Sequence, residues 1–464
     1  MFLSRKKRVF LKLGIISILV IALSGLLIPA LAKRPTVRIL SFSQGFCWPE
    51  LFGASGVERT QRLKQFEEEE GINIEVEWGD ETTVRQKVAM DLIARTGRYD
   101  IIMVGTDGGV QTYGYGGFLE PLDKYFRDYP TEYYESSDVY PQCLNANRIS
   151  GVLYALPYYS FGAGIIYRAD IVARYGLTLP RTTDELIEVL DDLKTGLEGE
   201  GITDVYPVTM RAAPGEEPAL DLTGFVYAWA GYPAWFEGGV INPSEIKEKR
   251  ARPIFNKDFA PGFRAYTDIC KKYGPPGIST HTWVDMMNIY AQGKAVMLMP
   301  SSINGYAAIS ITENENVKKY TKFAKIPVGP SGKRIQSFWT MSFAINKDSK
   351  HKLAAWKVLN FLTGKSATRA FAERTRWPNI PMKSALYCDT LVNLYGLDQI
   401  KLNEESLLEA DPYYFPYISE LAEFMDKIGT ACSRVVSGEK TAEKTLDDLQ
   451  IWSVERMLKA DYYR

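Results

Sequence analysis

The stretch Tyr167–Leu193, YRADIVARYGLTLPRTTDELIEVLDDL, shows its helix boundaries almost residue by residue. An apolar run ends at the first tyrosine of this stretch, as is typical of a buried strand. A short helix over 169–175 is expected to stop at Gly176, because glycine readily ends helices. Thr182 and Glu185 have the spacing of a capping box, which predicts the start of a second, amphipathic helix. The segment therefore predicts a strand, a short helix, a turn and a capped helix.

Short apolar runs and amphipathic helices also alternate in the preceding part of the chain. The pattern predicts strands over Thr36–Phe42, Ile74–Trp78 and Ile101–Val104, and helices over Glu58–Glu70 and about Thr83–Ala94. This alternation predicts an open α/β sheet, in which binding residues lie on the loops that follow the strands.

The N-terminus has the three parts of a secretory signal. Five basic residues lie among the first twelve, Leu13–Ile28 is an apolar run of sixteen residues, and Ala30-Leu31-Ala32 fits the small-x-small cleavage rule. We expect residues 1–32 to be a signal peptide that is cleaved after Ala32, which places the mature protein in the periplasm. The alternative is a retained membrane anchor, although a membrane span needs about 20 apolar residues.

The mature chain would have 432 residues, with 50 basic and 56 acidic side chains. Its length favours two domains, and no linker-like segment separates them in the sequence. The negative balance and the lack of a basic stripe argue against nucleic acid as a partner.

The residue types needed for common catalytic and metal sites are scarce. The chain has two histidines, and its five cysteines include no C-x-x-C pair, so we expect no metal, no cofactor and no catalytic residue. One or two disulfides or buried free thiols are both compatible with the five cysteines.

Several segments together resemble family 1 extracellular solute-binding proteins, the sugar-capturing components of ABC importers, including their maltodextrin-binding members. In the opening stretch, Thr183 departs from the resemblance, since the family often has tryptophan there. The similar segments occur in the family's chain order. They are Tyr99–Asp123, Tyr167–Leu193, Gly293–Met299, Trp339–Leu362 and Trp377–Leu386.

The resemblance implies a two-lobed, type II-like periplasmic-binding-protein fold with a ligand cleft between lobes joined by crossover segments. The first lobe would hold 36–158 plus 341–368, and the second 159–340 plus 369–464. It also implies a monomer that binds a saccharide or sugar-like solute and delivers it to the transmembrane permease of an ABC transporter.

Aromatic residues are numerous, with 58 Phe, Trp and Tyr, and a flat ring can pack on the C–H face of a sugar. Several lie in expected cleft loops, and the resemblance implies further polar contacts. The expected substrate-binding residues are Gln44, Trp48, Asp80, Asp107, Tyr159, Phe161, Trp229, Trp339 and Lys383.

Seven of these residues also have an ordinary structural explanation. Helix-start packing would account for Gln44 and Trp48, and core packing for Phe161 and Trp229. Turn formation would account for the two aspartates, and a solvated surface charge for the lysine, which lacks the planar fork of arginine. Glu50 is a further possibility in the same loop as the first tryptophan.

Two other functions remain open at the level of sequence. A secreted glycoside-processing enzyme would use a pair of carboxylates, but no pair stands out among 56 acids. A solute-binding protein for a metal chelate or peptide is the other alternative.

Overall fold

The computed structural model describes residues 34–42, 47–106 and 108–463. The strands are β1 Thr36–Phe42, β2 Asn73–Gly79, β3 Ile101–Gly105, β4 Arg148–Ile149, β5 Val152–Leu153, β6 Ala155–Phe161, β7 Ile165–Arg168, β8 Tyr206–Thr209, β9 Ala295–Leu298, β10 Thr321–Ala324 and β11 Trp339–Ile345.

Helices cover both sheets and form most of the C-terminal part. They are α1 Pro49–Phe52, α2 Gln61–Glu70, α3 Glu81–Ala94, α4 Gly109–Tyr115, α5 Asp123–Asp128, α6 Pro141–Asn145, α7 Ala169–Arg174, α8 Thr183–Gly199, α9 Glu217–Ala230, α10 Pro243–Lys249, α11 Ala260–Tyr273, α12 Trp283–Ala291, α13 Ser302–Ile311, α14 Glu315–Tyr320, α15 Lys352–Thr363, α16 Lys365–Thr375, α17 Lys383–Leu386, α18 Asp389–Tyr395, α19 Leu397–Leu408, α20 Leu421–Val436 and α21 Ala442–Lys459. Short 3₁₀ helices lie at Ser136–Asp138, Glu237–Gly239 and Ile278–Thr280.

The segment that opened the sequence analysis folds as predicted. Strand β7 leads into α7, and Gly176 follows with a φ of +64°, a left-handed conformation that favours glycine. The hydroxyl of Thr182 accepts from the Glu185 amide at 3.2 Å, and the carboxylate of Glu185 accepts from the Thr182 amide at 3.3 Å. The predicted capping box is therefore confirmed, and it starts α8.

The first sheet has five strands in the order β2-β1-β3-β11-β6. Its first three strands are parallel, as a β-α-β pattern predicts, while β11 runs antiparallel to both β3 and β6. The chain returns to this sheet from Trp339, after it has built the second sheet.

The second sheet has four strands in the order β10-β7-β9-β8. Strands β8 and β9 are parallel, and β7 is antiparallel to β9. Residues 162–164 carry the chain from the first sheet to the second, and residues 325–338 carry it back. Both mixed α/β sheets agree with the predicted fold class.

The predicted lobe boundaries fall close to these crossovers but inside strands. Strand β6 continues to Phe161 and β11 begins at Trp339, so both belong to the first sheet. Phe371 of α16 packs on Tyr158 and Tyr159 of that sheet, at centroid distances of 5.2 and 5.7 Å. The division of the chain into lobes stays a prediction.

All five cysteines are buried free thiols. Burial raises the pKa of both Cys47 and Cys143 to about 12, which disfavours the reactive thiolate at neutral pH. Of the two possibilities left open by the sequence, the structure therefore has the unpaired thiols.

Within the described ranges, no helix combines the length and the apolar content needed to cross a membrane. The predicted signal peptide, residues 1–32, lies outside the described residues.

Candidate functional site

The strands of the first sheet bring several loops to one edge. Because β1 and β3 are parallel, both end at this edge, and β11 begins there because Met341 pairs antiparallel with Gly105. The C-terminal ends of β1 and β3 therefore lie on the same side of the sheet as Trp339, the first residue of β11.

The second sheet presents an equivalent edge. Strands β8 and β9 both end there, and β9 is followed by Pro300, whose carbonyl accepts from the Gly164 amide at 2.7 Å. The Ser302 hydroxyl donates to the carbonyl of Gly162 at 2.9 Å. These bonds tie the start of α13 to the 162–164 crossover, so the two sheet edges meet around the crossovers. In open α/β sheets this is the position of ligand sites.

Eight residues around these edges have buried polar atoms without a hydrogen bond to any described residue. Leaving one such group unpaired costs about 1–3 kcal/mol, so a polar ligand that pairs with it gains stability. The residues that carry these atoms are Glu50, Gln111 and Trp339 on the side of the first sheet, and Thr209, Arg211, His281, Ser301 and Asn304 on the side of the second.

A buried ion pair at the site joins Arg211, which follows β8, to Asp221 on α9. Nε donates to Oδ2 at 2.7 Å, and Nη2 lies 2.6 Å from Oδ1 without the alignment of a hydrogen bond. Burial opposes the charge on Arg211, but the attraction of Asp221 outweighs it and raises the pKa of the guanidinium. Arg211 therefore stays charged throughout the physiological pH range.

Two further acidic residues at the site, Glu50 and Glu217, are buried in surroundings that disfavour the charged carboxylate. Burial raises the pKa of Glu50, both of whose carboxylate oxygens are buried without a described partner. Burial also raises the pKa of Glu217, at the start of α9, although its carboxylate accepts from the Trp283 amide at 2.9 Å. Two carboxyl groups thus lie among the polar groups of the site.

Histidine at this site acts through its backbone. The carbonyl of His281 accepts from the amides of Ala212 and Ala213, both at 3.0 Å, and so supports the loop after β8. Burial lowers the pKa of the imidazole, which keeps it neutral at pH 7. His281 therefore supports this loop through its main chain.

Three of the predicted aromatic residues form one group at the first-sheet edge. The ring of Trp339 lies 5.4 Å from that of Tyr159 and 6.1 Å from that of Phe161, measured between centroids. All three are at least nine-tenths buried, and the Trp339 indole N–H is one of the unpaired donors. Three residues that the sequence assigned to one binding site are therefore neighbours in the folded structure.

Trp48 lies instead in the core of the first-sheet side. Its ring packs against Tyr158 and Phe343 at centroid distances of 5.4 and 4.7 Å, and its indole N–H donates to the carbonyl of Leu362 at 2.7 Å. It has no exposed surface. This arrangement is the packing alternative, and Trp48 supports the fold.

Three other predicted residues occupy positions that match their structural alternatives. Asp80 caps α3 through Thr83, accepting from its amide at 2.9 Å and its hydroxyl at 2.6 Å. Trp229 stacks on Phe225 of the same helix, with an interplanar angle of 17°. Lys383 is exposed at the first position of α17. None of the three belongs to the group of unpaired polar atoms.

Gln44 and Asp107 lie outside the described residues, so their predicted contacts remain predictions. Their neighbours in the chain, Glu50 after β1 and Gln111 on α4, both have unpaired polar atoms at the site.

Arg211 and its partner were missed by the sequence analysis. The one local signal is that arginine follows an apolar strand in an otherwise uncharged stretch, since β8 is flanked by Met210, Ala212 and Ala213. The partner Asp221 is on a helix that the sequence does not place next to the strand.

Two other kinds of binding site, a metal centre and a second cavity, are not favoured in the described chain. Residues 34–42, 47–106 and 108–463 contain no group of three or more side chains suited to a metal ion. A cavity of about 550 Å³ lies at the opposite end of the first sheet. Its charges are largely paired, with Arg38 3.3 Å from Glu75 and Arg98 3.1 Å from Glu77.

Residues 54–369 match the family model described as bacterial extracellular solute-binding protein. The chain belongs to this family. The family-level part of the resemblance is therefore confirmed, over more than half of the sequence.

Individual relatives extend the similarity to most of the chain. The mannitol-binding protein of Pseudomonas aeruginosa is 24% identical over 423 residues, which cover 87% of this chain and 91% of the relative. An ABC transporter solute-binding protein from Agrobacterium vitis, solved with bound D-mannitol, has a TM-score of 0.73 and 24% identity, with 92% of this chain and 99% of that chain covered.

A second solved solute-binding protein, from Agrobacterium radiobacter in complex with ribitol, has a TM-score of 0.74 and 20% identity, with 90% of this chain and 98% of that chain covered. These structural similarities establish the two-lobed fold of ABC solute-binding proteins.

Proposed function

We propose that this solute-binding protein captures a polyol or a saccharide and delivers it to the permease of an ABC transporter. The observation that carries the proposal is the group of unpaired polar atoms at the facing sheet edges, beside the Trp339 ring. The group offers donors, such as an indole N–H, and acceptors, such as a carboxylate. A polyhydroxylated molecule uses both, because every hydroxyl donates and accepts.

The relatives favour a polyol within this class. Mannitol is named for the Pseudomonas relative, and mannitol and ribitol for the two solved structures. A neutral ligand also suits the charges at the site, since Asp221 already balances Arg211 and Glu50 adds a further acid.

Binding would act by closure of the two lobes. A ligand that touches the first-sheet edge and the second-sheet edge interacts with both lobes only in the closed form, so it shifts the population toward that form. The proposed action is binding without chemical change, so the protein delivers the ligand to the permease unaltered.

The location and state of the protein belong to the same proposal. We infer a periplasmic monomer released by cleavage after Ala32, with two lobes divided close to the predicted boundaries, at the 162–164 and 325–338 crossovers. N-terminal sequencing of the protein from the periplasmic fraction should give Lys33 as the first residue. Recovery of intact Met1 in washed membranes would show a retained anchor instead.

A thermal-shift panel tests the ligand class most directly. Erythritol, ribitol, D-mannitol and a set of mono-, di- and oligosaccharides are each added to the purified protein. A ligand at 100 times its Kd adds about 2.7 kcal/mol to the free energy of unfolding, which gives a clear rise in Tm. Chromatography of the same mixtures should show unchanged ligand. A panel without any rise, or product formed at enzyme-like rates, would contradict the proposal.

A further inference from the structure

Arg211 is held at the base of the site by contacts on several sides. Its side chain is 7% exposed, and that of Asp221 is fully buried. The carbonyl of Arg211 accepts from the hydroxyl of Tyr266 at 2.5 Å, which fixes the main chain at the same point. A buried guanidinium with a fixed plane is suited to recognition by geometry.

The second contact of Asp221 comes from the return crossover. The hydroxyl of Ser337 donates to Oδ1 at 2.6 Å, and Ser337 itself has no exposed surface. Both oxygens of this carboxylate therefore face the guanidinium, and the return crossover also fixes Oδ1. Any tilt of the carboxylate would also tilt Arg211.

Asp221 occupies only one edge of the guanidinium, the edge formed by Nε and Nη2. No described residue accepts a hydrogen bond from Nη1, and Nη2 faces Asp221 with only one of its two hydrogens. The remaining edge thus has two parallel N–H groups, a spacing that matches two acceptor oxygens held side by side. Because Asp221 neutralises the charge and Glu217 lies near, these acceptors are better supplied by hydroxyls than by a carboxylate.

We propose that Arg211 is the specificity-determining residue of the second-sheet side, and that it donates paired hydrogen bonds to two adjacent hydroxyls of the ligand. Asp221 and Ser337 are positioning residues that set the plane of the guanidinium. This inference rests on the proposed function and deepens it, since it selects molecules with vicinal hydroxyl groups.

The test compares ligands that differ by one hydroxyl. D-mannitol, ribitol and erythritol are titrated calorimetrically into wild type, Arg211→Lys and Ser337→Ala, together with the 2-deoxy form of each alditol. Lysine keeps the charge but loses the planar fork. Ser453→Ala is the matched control, because Ser453 is equally buried and makes one hydrogen bond, at 2.8 Å to the carbonyl of Gln450 on the C-terminal helix.

Wild type should bind the tightest alditol about ten- to hundred-fold better than its 2-deoxy form. Arg211→Lys should bind the full alditol about ten- to hundred-fold more weakly than wild type does. Its affinities for the alditol and for the 2-deoxy form should differ by less than about three-fold, as expected when the arginine and the missing hydroxyl are coupled in a thermodynamic cycle. Ser337→Ala should lose about three- to ten-fold in affinity and part of the discrimination, while Ser453→Ala should match wild type.

Unchanged affinity and unchanged discrimination in Arg211→Lys would overturn the inference while the proposed function stands. If Arg211→Lys does not fold, judged by circular dichroism, Ser337→Ala decides, and wild-type discrimination in that variant would overturn the inference. If wild type binds no alditol and no saccharide, the proposed function fails first, and the inference fails with it.

Discussion

The indole N–H of Trp339 allows ligand binding to be separated from packing by a single substitution. Trp339→Phe keeps an aromatic face beside Tyr159 and removes only the donor and part of the ring. In the unliganded protein that donor is buried without a described partner. We therefore expect this substitution to keep or raise the stability of the protein and to lower its affinity for the ligand.

For stability, removal of an unpaired buried donor is worth about 1–3 kcal/mol. The smaller ring gives up apolar burial worth about 1 kcal/mol. The unliganded variant should therefore be as stable as wild type, or more stable by up to about 2 kcal/mol. For affinity, loss of one hydrogen bond worth about 0.5–1.5 kcal/mol weakens binding roughly 2- to 13-fold.

Urea unfolding measures the first effect and calorimetry with the tightest panel ligand measures the second. Trp235→Phe is a matched control, because its indole N–H is also buried and unpaired but its ring packs against Phe255 and Phe424, away from the two sheet edges. The control should gain or keep stability and bind like wild type. If Trp339→Phe binds as tightly as wild type, the indole N–H does not meet the ligand and our placement of the site on this edge is wrong.

Three further substitutions give distinct outcomes. Glu50→Gln should raise the Tm of the unliganded protein at pH 7. Burial raises the pKa of the Glu50 carboxyl in the folded state, so wild type loses stability as the pH rises above 4.5, the ordinary pKa of a glutamate. Each unit by which the Glu50 pKa is raised costs about 1.4 kcal/mol of folding stability. The Tm values of the two proteins should therefore converge below about pH 4.5, and a Tm difference that does not change with pH would contradict the reasoning. Gly224→Ala would place a methyl carbon 1.7 Å from the carbonyl oxygen of Gln336, so urea unfolding should show a loss of about 1–3 kcal/mol or more, and an unchanged midpoint would refute the contact. Lys383→Ala should leave affinity in calorimetry within about two-fold of wild type, because the side chain is exposed at a helix start, and a ten-fold loss would return it to the site.

Local sequence signals predicted the fold well where the chain determines its own structure. The spacing of Thr182 and Glu185 identified a capping box that the structure contains, and the Thr36–Phe42 strand has the predicted bounds. The helix predicted over Glu58–Glu70 begins only at Gln61, because helix ends depend on caps and contacts that apolar periodicity does not report.

The site was predicted less completely, because its contacts are made between distant segments. Trp48 and Trp339 both follow the expected pattern of a loop aromatic, yet one is enclosed by the core and the other lies at the sheet edge. No spacing rule connects Arg211 to Asp221 and Ser337, since these residues meet only after β8, α9 and the return crossover have packed together. Aromatic content could suggest a sugar site, but it could not identify the charged group within it.

The five buried thiols give the protein a set of internal probes for local opening. Each is at most 3% exposed, so a maleimide can react only when the surrounding structure opens. Cys143 is on α6, near the first sheet, whereas Cys270 and Cys432 are on α11 and α20, which pack together with α9. Labelling rates resolved by peptide mass would therefore show whether these two regions open together or one at a time, with and without ligand, and no residue would have to be introduced.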